Sequence, residues 1–381
     1  MTNAKLHELM TQLVQIDSTS GSLGELVALR FVADWMERES GTEYALTWSP
    51  GTETPSAVLL SPREINAPLL LFCGHIDVVP VGDPAAWVHD PFSAKVVQDR
   101  MMGRGTSDMK SGLAAAMIAV SNLLRDGRAV ALLVTTGEEA GCRGASVCTD
   151  ILAALPIGAV IVPESTAGEV ALGHRGALWL RVQTRGKAAH GSTPERGVNA
   201  IERAAGLMAR IPLIPLRSHP HLGDESVNVG TIHAGIVPNI VPDQCEIQID
   251  LRVVGDSRHL LSWWENQPEV SEVSVQLDLA PVWTARDHRW LDTLDATIVE
   301  RPVSYFTDAS VLTRALQPGT PIVVWGPGDP GSVHSLNESV SLKATETALN
   351  NYLRVGSRWA RPSERLDPLF RDGSEMRGCL P

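Results

Sequence analysis

Four short apolar runs limit what this chain can fold into: PLLLF (68–72), AVALLVTT (129–136), GAVIV (158–162) and PIVVW (321–325). Each has the length of a strand, and none alternates with polar residues. Such runs belong to strands covered on both faces. Between the first two lies MKSGLAAAMIAVSNLLR (109–125), a helix-length block that stops at Asp126-Gly127. Strands alternating with helices build parallel βαβ units. The predicted fold is therefore α/β, with a mostly parallel sheet.

The pattern changes near residue 174. From there the sequence reads as strand 177–184, helix 197–210, strands 226–233 and 244–254, helix 256–266 and strand 270–278. This βαββαβ order is the ferredoxin-like α+β arrangement. After Pro281 a helix over 287–300 and the PIVVW strand return to the α/β style. A chain of 381 residues exceeds one ordinary core. The expected organisation is an α/β domain in two parts, 1–173 and 285–381, with a smaller domain, 174–284, inserted. The last twenty residues read as polar and irregular and receive no role.

In open α/β sheets, ligands bind beyond the carboxyl ends of the strands. PLLLF runs into Gly74-His75-Ile76-Asp77, and AVALLVTT into Gly137-Glu138-Glu139. GAVIV runs into Pro163-Glu164, and PIVVW into GPGDPGS and then His334. Asp108 adds a fifth group just before the helix expected from Met109, where the helix dipole favours a carboxylate. Singly, each has an ordinary explanation: Asp108 as an N-cap, Glu138 and Glu139 as a solvated loop, His75 as a satisfied polar residue. Their coincidence at one sheet edge has a chemical one.

Two imidazoles with three carboxylates suit a zinc-type divalent ion, with cobalt or manganese as alternatives. A two-ion site needs one bridging carboxylate and at least a histidine and an acid at each ion. Asp108 as bridge, with two His and two Glu, meets that arithmetic. One of the vicinal glutamates is then left over to act as a base. Residues i and i+2 of an extended segment point the same way. Asp77 is thereby expected to accept a hydrogen bond from the nitrogen of His75 that faces away from the metal.

Charge and cysteine usage bound the rest. A net charge of −12 argues against a nucleic-acid groove, which needs clustered Lys and Arg. The five cysteines (73, 142, 148, 245 and 379) are scattered without a CxxC pair, as suits a reducing cytoplasm. The N-terminal segment spaces Leu6, Met10, Leu13 and Val14 on one helical face, without the unbroken apolar core of a signal peptide. No run approaches the ~20 apolar residues that span a membrane. The expectation is a cytoplasmic protein with neither nucleic-acid nor membrane partners.

The chain resembles the acetylornithine deacetylase / succinyl-diaminopimelate desuccinylase group, co-catalytic metallohydrolases related to aminoacylases and peptidase T. The resemblance runs from LVQIDSTSG (13–21) through GHIDVVP (74–80), the segment 87–112, TTGEEAG (135–141) and VPES (162–165). It continues through GHRG (173–176), HGSTPERGVNAI (190–201), 235–252, TDA (307–309) and HSLNE (334–338). It implies one metal on His75, Asp108 and Glu164, a second on Asp108, Glu139 and His334, and Glu138 as general base. It also implies a homodimer through the inserted domain, with His190 reaching the partner's active site to stabilise the oxyanion. Asn239, Arg252 and Arg175 match substrate-contacting positions. Met109 stands where many relatives carry a second aspartate, and Glu164 precedes Ser165 where relatives often have a Glu-Pro pair.

The implied reaction is hydrolysis of an N-acyl amino acid, with hydroxide formed between two metals and Glu138 moving the proton. A carboxypeptidase or dipeptidase of the same metal chemistry is the nearest alternative, and a non-catalytic metal-binding relative a remote one. GPGDPG (326–331) fits GxGxxG, but Pro327 and Pro330 stiffen it and no helix start follows, so a dinucleotide site is not expected.

Overall fold

The computed structural model describes residues 2–42, 44–50 and 55–359. The expected irregular tail and Cys379 lie outside these residues. The chain divides into two compact units, which are taken in turn. The first draws on Met1–Gly173, Trp283–Val303 and Thr307–Pro381, and the second on His174–Val282 with Ser304–Phe306.

The first unit is built on an eight-stranded sheet. Its order is Tyr44–Trp48, Ala57–Pro62, Val130–Thr135, Leu69–His75, Ile157–Ser165, Ile322–Gly326, Val170–Ala171 and Ile298–Val299. The four central strands contain the four apolar runs and pair in parallel. Nearly all their residues are buried, as strands covered on both faces must be. Ala57–Pro62 joins Val130–Thr135 antiparallel, so the sheet is mixed with a parallel centre. Register aligns the strand ends: His75 sits opposite Thr135, and Gly326 opposite Ser165.

Helix Thr2–Gln15 buries Leu6, Leu9, Met10, Leu13 and Val14 on the face its spacing marks out. Helix Ser111–Arg125 is buried at every position except Asn122 and Arg125. It starts two residues later than expected, because Asp108 (φ −115°, ψ 95°) and Met109 (φ −126°, ψ 26°) leave helical geometry. Asp108 therefore neither caps the helix nor sits in its first turn. The expected helix 287–300 is absent. A single 3₁₀ turn, Arg289–Thr293, ends before Asp295, whose φ is +49°. The β-branched Ile298–Val299 then pairs with Val170–Ala171, so sheet pairing overrides the helical spacing.

The second unit has the element order βαββαβ: Gly176–Arg185, helix Ala200–Met208, Ser226–Ala234, Gln244–Val253, helix Arg258–Glu265 and Val270–Leu279. Its four strands are antiparallel throughout, in the order Ser226–Ala234, Gln244–Val253, Gly176–Arg185, Val270–Leu279. Alternate residues of the two central strands (Leu178, Leu180, Val182; Ile247, Ile249, Leu251) pack with Ala204, Leu207, Leu260 and Trp264 from the two helices. One face of the sheet thus carries the core, by the period of two that strands impose.

Candidate metal centre

His75 is the last residue of its strand and is almost wholly buried. Its Nδ1 donates to the Asp77 carbonyl oxygen at 2.9 Å, which aims Nε2 at the strand-end cluster. The expected acceptor was the Asp77 carboxylate, but that lies 3.6 Å from Nδ1, too far for a good hydrogen bond. The Asp77 carboxylate instead accepts the backbone N–H groups of Glu138 (3.1 Å) and Glu139 (3.3 Å). It thereby ties the glutamate loop to the histidine strand. The thioether of Met109 fills the space beside Gly74, with Sδ 3.3 Å from the His75 amide nitrogen.

Asp108 divides its two oxygens between the two imidazoles. Oδ1 lies 3.1 Å from His75 Nε2, and Oδ2 lies 3.2 Å from His334 Nε2. A second acid joins each half: Glu164 Oε1 is 3.0 Å from His75 Nε2, and Glu139 Oε1 is 3.0 Å from His334 Nε2. Across the halves, donor atoms of His75, Asp108 and Glu139 all fall within 4.8 Å of one another. Glu164 lies inside the Ile157–Ser165 strand, which runs three residues past the apolar run 158–162. Among the described ion pairs His75 and His334 take Asp77, Asp108, Glu139 and Glu164 as partners, and not Glu138.

The electrostatics are those of anions crowded together. Burial opposes charge on His75, yet Glu164, Asp108 and Asp77 hold its pKa well above the ordinary imidazole value. Hydrogen bonds to Asp108 and Glu139 push His334 up to about 10. Burial, then the Asp108 charge, raises Glu164 to about 8. Burial likewise lifts Glu138 well above its ordinary value and raises Glu139. Burial also opposes charge on Asp108, but the two histidines keep it low. A divalent cation among these donors would relieve that crowding of negative charge.

The donor set fits such ions. It is all imidazole and carboxylate, and its nitrogen–oxygen separations approach the ~3.3 Å expected between two ligands ~2.0–2.1 Å from one tetrahedral ion.

Three buried acids and bases near this cluster had no role in the sequence. Asp308, of the TDA motif, accepts from Thr135 Oγ1 at 2.5 Å and is raised to about 6 by burial. Glu338, of HSLNE, pairs with Arg104 at 2.8 Å. Lys110 donates to the Leu13 and Ile16 carbonyls at the end of the first helix, with burial lowering it to about 7. The motifs were visible, but no spacing rule names the partners of a buried acid.

The remaining expected residues belong to the second unit. His190 and Asn239 lie on adjoining loops, joined by Gly191 N–H to the Asn239 carbonyl (2.8 Å) and Val241 N–H to the Ala189 carbonyl (2.9 Å). His190 Nδ1 faces both the Ser192 hydroxyl (2.7 Å) and the Ser192 backbone N–H (3.1 Å). Arg252 pairs with Asp250 at 3.0 Å, its guanidinium 5.6 Å from the Phe306 ring centroid. Arg175 donates to the Asp224 carbonyl at 2.9 Å. Arg252 sits opposite Ala177, near one end of the ladder between Gly176–Arg185 and Gln244–Val253. His190 and Asn239 lie beyond its other end, Arg185↔Gln244.

Residues 71–358 match the family model for peptidase family M20/M25/M40. A protein of Staphylococcus epidermidis, "Probable succinyl-diaminopimelate desuccinylase", is 27% identical over 322 residues, covering 72% of this chain and 79% of that one. A metallo-carboxypeptidase of Sulfolobus solfataricus, Sso-CP2, superposes with a TM-score of 0.78 at 17% identity, over 92% of this chain and 98% of that one. The YXEP protein of Bacillus subtilis, described as a dinuclear metal binding peptidase, does so at 0.67 and 14%, over 93% and 97%. At such identities the two structures share the fold.

Proposed function

This chain belongs to peptidase family M20/M25/M40 and is a hydrolase of amide bonds, and from that premise we propose that it removes the acyl group from an N-acyl amino acid. The acetylornithine and succinyl-diaminopimelate types are the model substrates. Two divalent ions are assigned: one to His75, Asp108 and Glu164, the other to Asp108, Glu139 and His334. The observation that carries the reading is the division of the Asp108 carboxylate between the two imidazoles. Zinc is the assigned ion, and cobalt or manganese would answer to the same donors. The desuccinylase name of the S. epidermidis relative favours deacylation. We also place the protein in the cytoplasm, a reading supported by four unpaired cysteines among the described residues.

When bound, the ions would polarise the acyl carbonyl and acidify water at the cluster. Glu138 takes the proton of the attacking water and delivers it to the departing amine. Burial suits it to that exchange, because it holds the carboxyl well above its ordinary value and so makes it a stronger base. Asp77 holds Glu138 and Glu139 through their backbone N–H groups. His190 donates from Nε2 to the developing oxyanion. Asn239 contacts the substrate, and Arg252 receives its carboxylate. Arg175, its guanidinium already engaged with a backbone carbonyl, plays a lesser part.

The inserted unit would form a homodimer. The ladder from Ala177↔Arg252 to Arg185↔Gln244 spans ~27 Å at ~3.4 Å per residue. No single N-acyl amino acid reaches Arg252 and His190 of one chain across that distance. This supports an active site to which one copy gives Arg252 and the other gives His190 and Asn239.

The test is a panel of N-acetyl and N-succinyl amino acids against dipeptides and C-terminally extended peptides, on metal-loaded protein with chelator as control. Chelator-sensitive release of acetate or succinate is expected. Cleavage confined to peptides would instead establish the second reading, a carboxypeptidase or dipeptidase, which the likeness to Sso-CP2 in fold brings forward.

A further inference from the structure

We infer that Glu338 is a positioning residue for this centre, fixing how Asp108 presents its two oxygens and where His334 enters. The inference rests on the two-ion reading above. Glu338 is completely buried, and each of its carboxylate oxygens accepts two hydrogen bonds. Oε1 takes the N–H groups of Ser107 (2.8 Å) and Asp108 (3.1 Å). Oε2 takes Gly105 N–H (3.0 Å) and Arg104 Nη1 (2.8 Å). It has no oxygen left for a metal.

The four donors all come from the irregular turn that delivers Asp108 to the cluster. That turn lies between the Arg100–Met102 strand and the Ser111–Arg125 helix, so its N–H groups have no regular ladder to join. Buried N–H groups need an acceptor, and a buried carboxylate needs donors. Here one side chain satisfies both needs. Glu338 is also anchored through its backbone, for its carbonyl accepts Gly103 N–H at 2.8 Å. The next residues, Ser339–Ser341, pair antiparallel with Arg100–Met102.

Glu338 stands four positions after His334, so the same side chain ties the His334 loop to the Asp108 turn. Asp77 does the corresponding work on the other side, two positions after His75 and bonded to the N–H groups of Glu138 and Glu139. Each histidine segment thus carries one carboxylate that ligates nothing and grips the backbone of the facing acid.

The test compares wild type with Glu338→Gln as full-length, metal-stripped protein titrated with zinc by calorimetry. A glutamine would aim its own NH₂ at donors that now face an oxygen. Wild type should bind two ions per chain, and the variant should bind them at least about tenfold more weakly, the usual loss on removing a group that orients metal ligands. A purely structural role for the Arg104–Glu338 pair would lower the melting temperature of the metal-free variant and leave zinc affinity within about threefold of wild type. That result would overturn the inference. Failure of wild type itself to bind zinc would overturn the two-ion reading instead.

Should the variant not fold, hydrogen exchange of the wild type decides. The amides of Gly105, Ser107 and Asp108 should be protected in metal-free protein as well as with zinc. Exchange that slows only when zinc is added would mean that the metal, not Glu338, orders the turn, and the inference would fall.

Discussion

The assignment of Glu138 rests on the pairing of its neighbour Glu139, and not Glu138 itself, with the His334 imidazole. Glu138→Gln keeps the shape and the backbone bond to Asp77 but cannot carry a proton. It should retain both ions by elemental analysis and lose at least about a hundredfold in kcat. Near-normal turnover would remove Glu138 from that role. A second prediction follows from the protons held at the cluster. At pH 7 the raised pKa values of His334 (about 10) and Glu164 (about 8) leave protons on metal-binding atoms, which an incoming ion must displace. Both values lie above 7, so these protons leave on their own as pH rises. Zinc affinity should therefore increase from pH 7 to pH 9, and proton release on binding should shrink, as calorimetry in buffers of different ionisation enthalpy would show.

At this scale the sequence displayed the residue types and their strand ends but not their hydrogen bonds. The i, i+2 argument correctly put Asp77 beside His75. It could not tell that the imidazole would choose the carbonyl and leave the carboxylate to the glutamate loop.

At the scale of elements, close approach of strands explains why Glu164 lies where it does. A Cβ on Gly326 would fall 2.2 Å from the Pro163 carbonyl oxygen and 2.3 Å from that of Glu164. Gly326→Ala should force these strands apart, cost about 1–3 kcal/mol, and weaken metal retention. Gly206, in the Ala200–Met208 helix, has only ordinary contacts around its Cβ position. Gly206→Ala should therefore change stability in the opposite direction, by about 0.5–1 kcal/mol. Denaturant unfolding of both variants in chelator checks the pair of signs.

The long buried runs were legible because both faces of each strand are apolar, and no helix periodicity competes with them. The segment 287–300 misled for the converse reason. Trp290, Leu291 and Leu294 have helical spacing and are buried, but a turn at Asp295 and strand pairing at Ile298–Val299 decide its form. The start of the central helix was misplaced because nothing in TSDMK announces that Asp108 and Met109 leave helical geometry.

For the whole molecule, the proposed dimer makes a prediction that no monomer can meet. His190→Ala and Glu138→Gln should each be nearly inactive alone. Mixed and allowed to exchange subunits, they should recover up to about a quarter of wild-type activity, because one site in the heterodimer inherits both intact groups. No recovery, despite exchange shown by mass spectrometry, would mean that His190 serves its own chain or none. The order βαββαβ was readable in sequence because each element keeps a clear period. The proposed sharing of residues between copies was implied by the family resemblance alone, since no period in the letters marks it.

The central claim is that Asp108 joins two cations. Anomalous diffraction from zinc-loaded crystals tests it most directly. The account predicts two peaks per chain, ~3.5–4 Å apart, flanking the Asp108 carboxylate, one beside His75 and Glu164 and the other beside His334 and Glu139. A zinc-saturated protein with a single peak there, or with zinc only elsewhere, would contradict it.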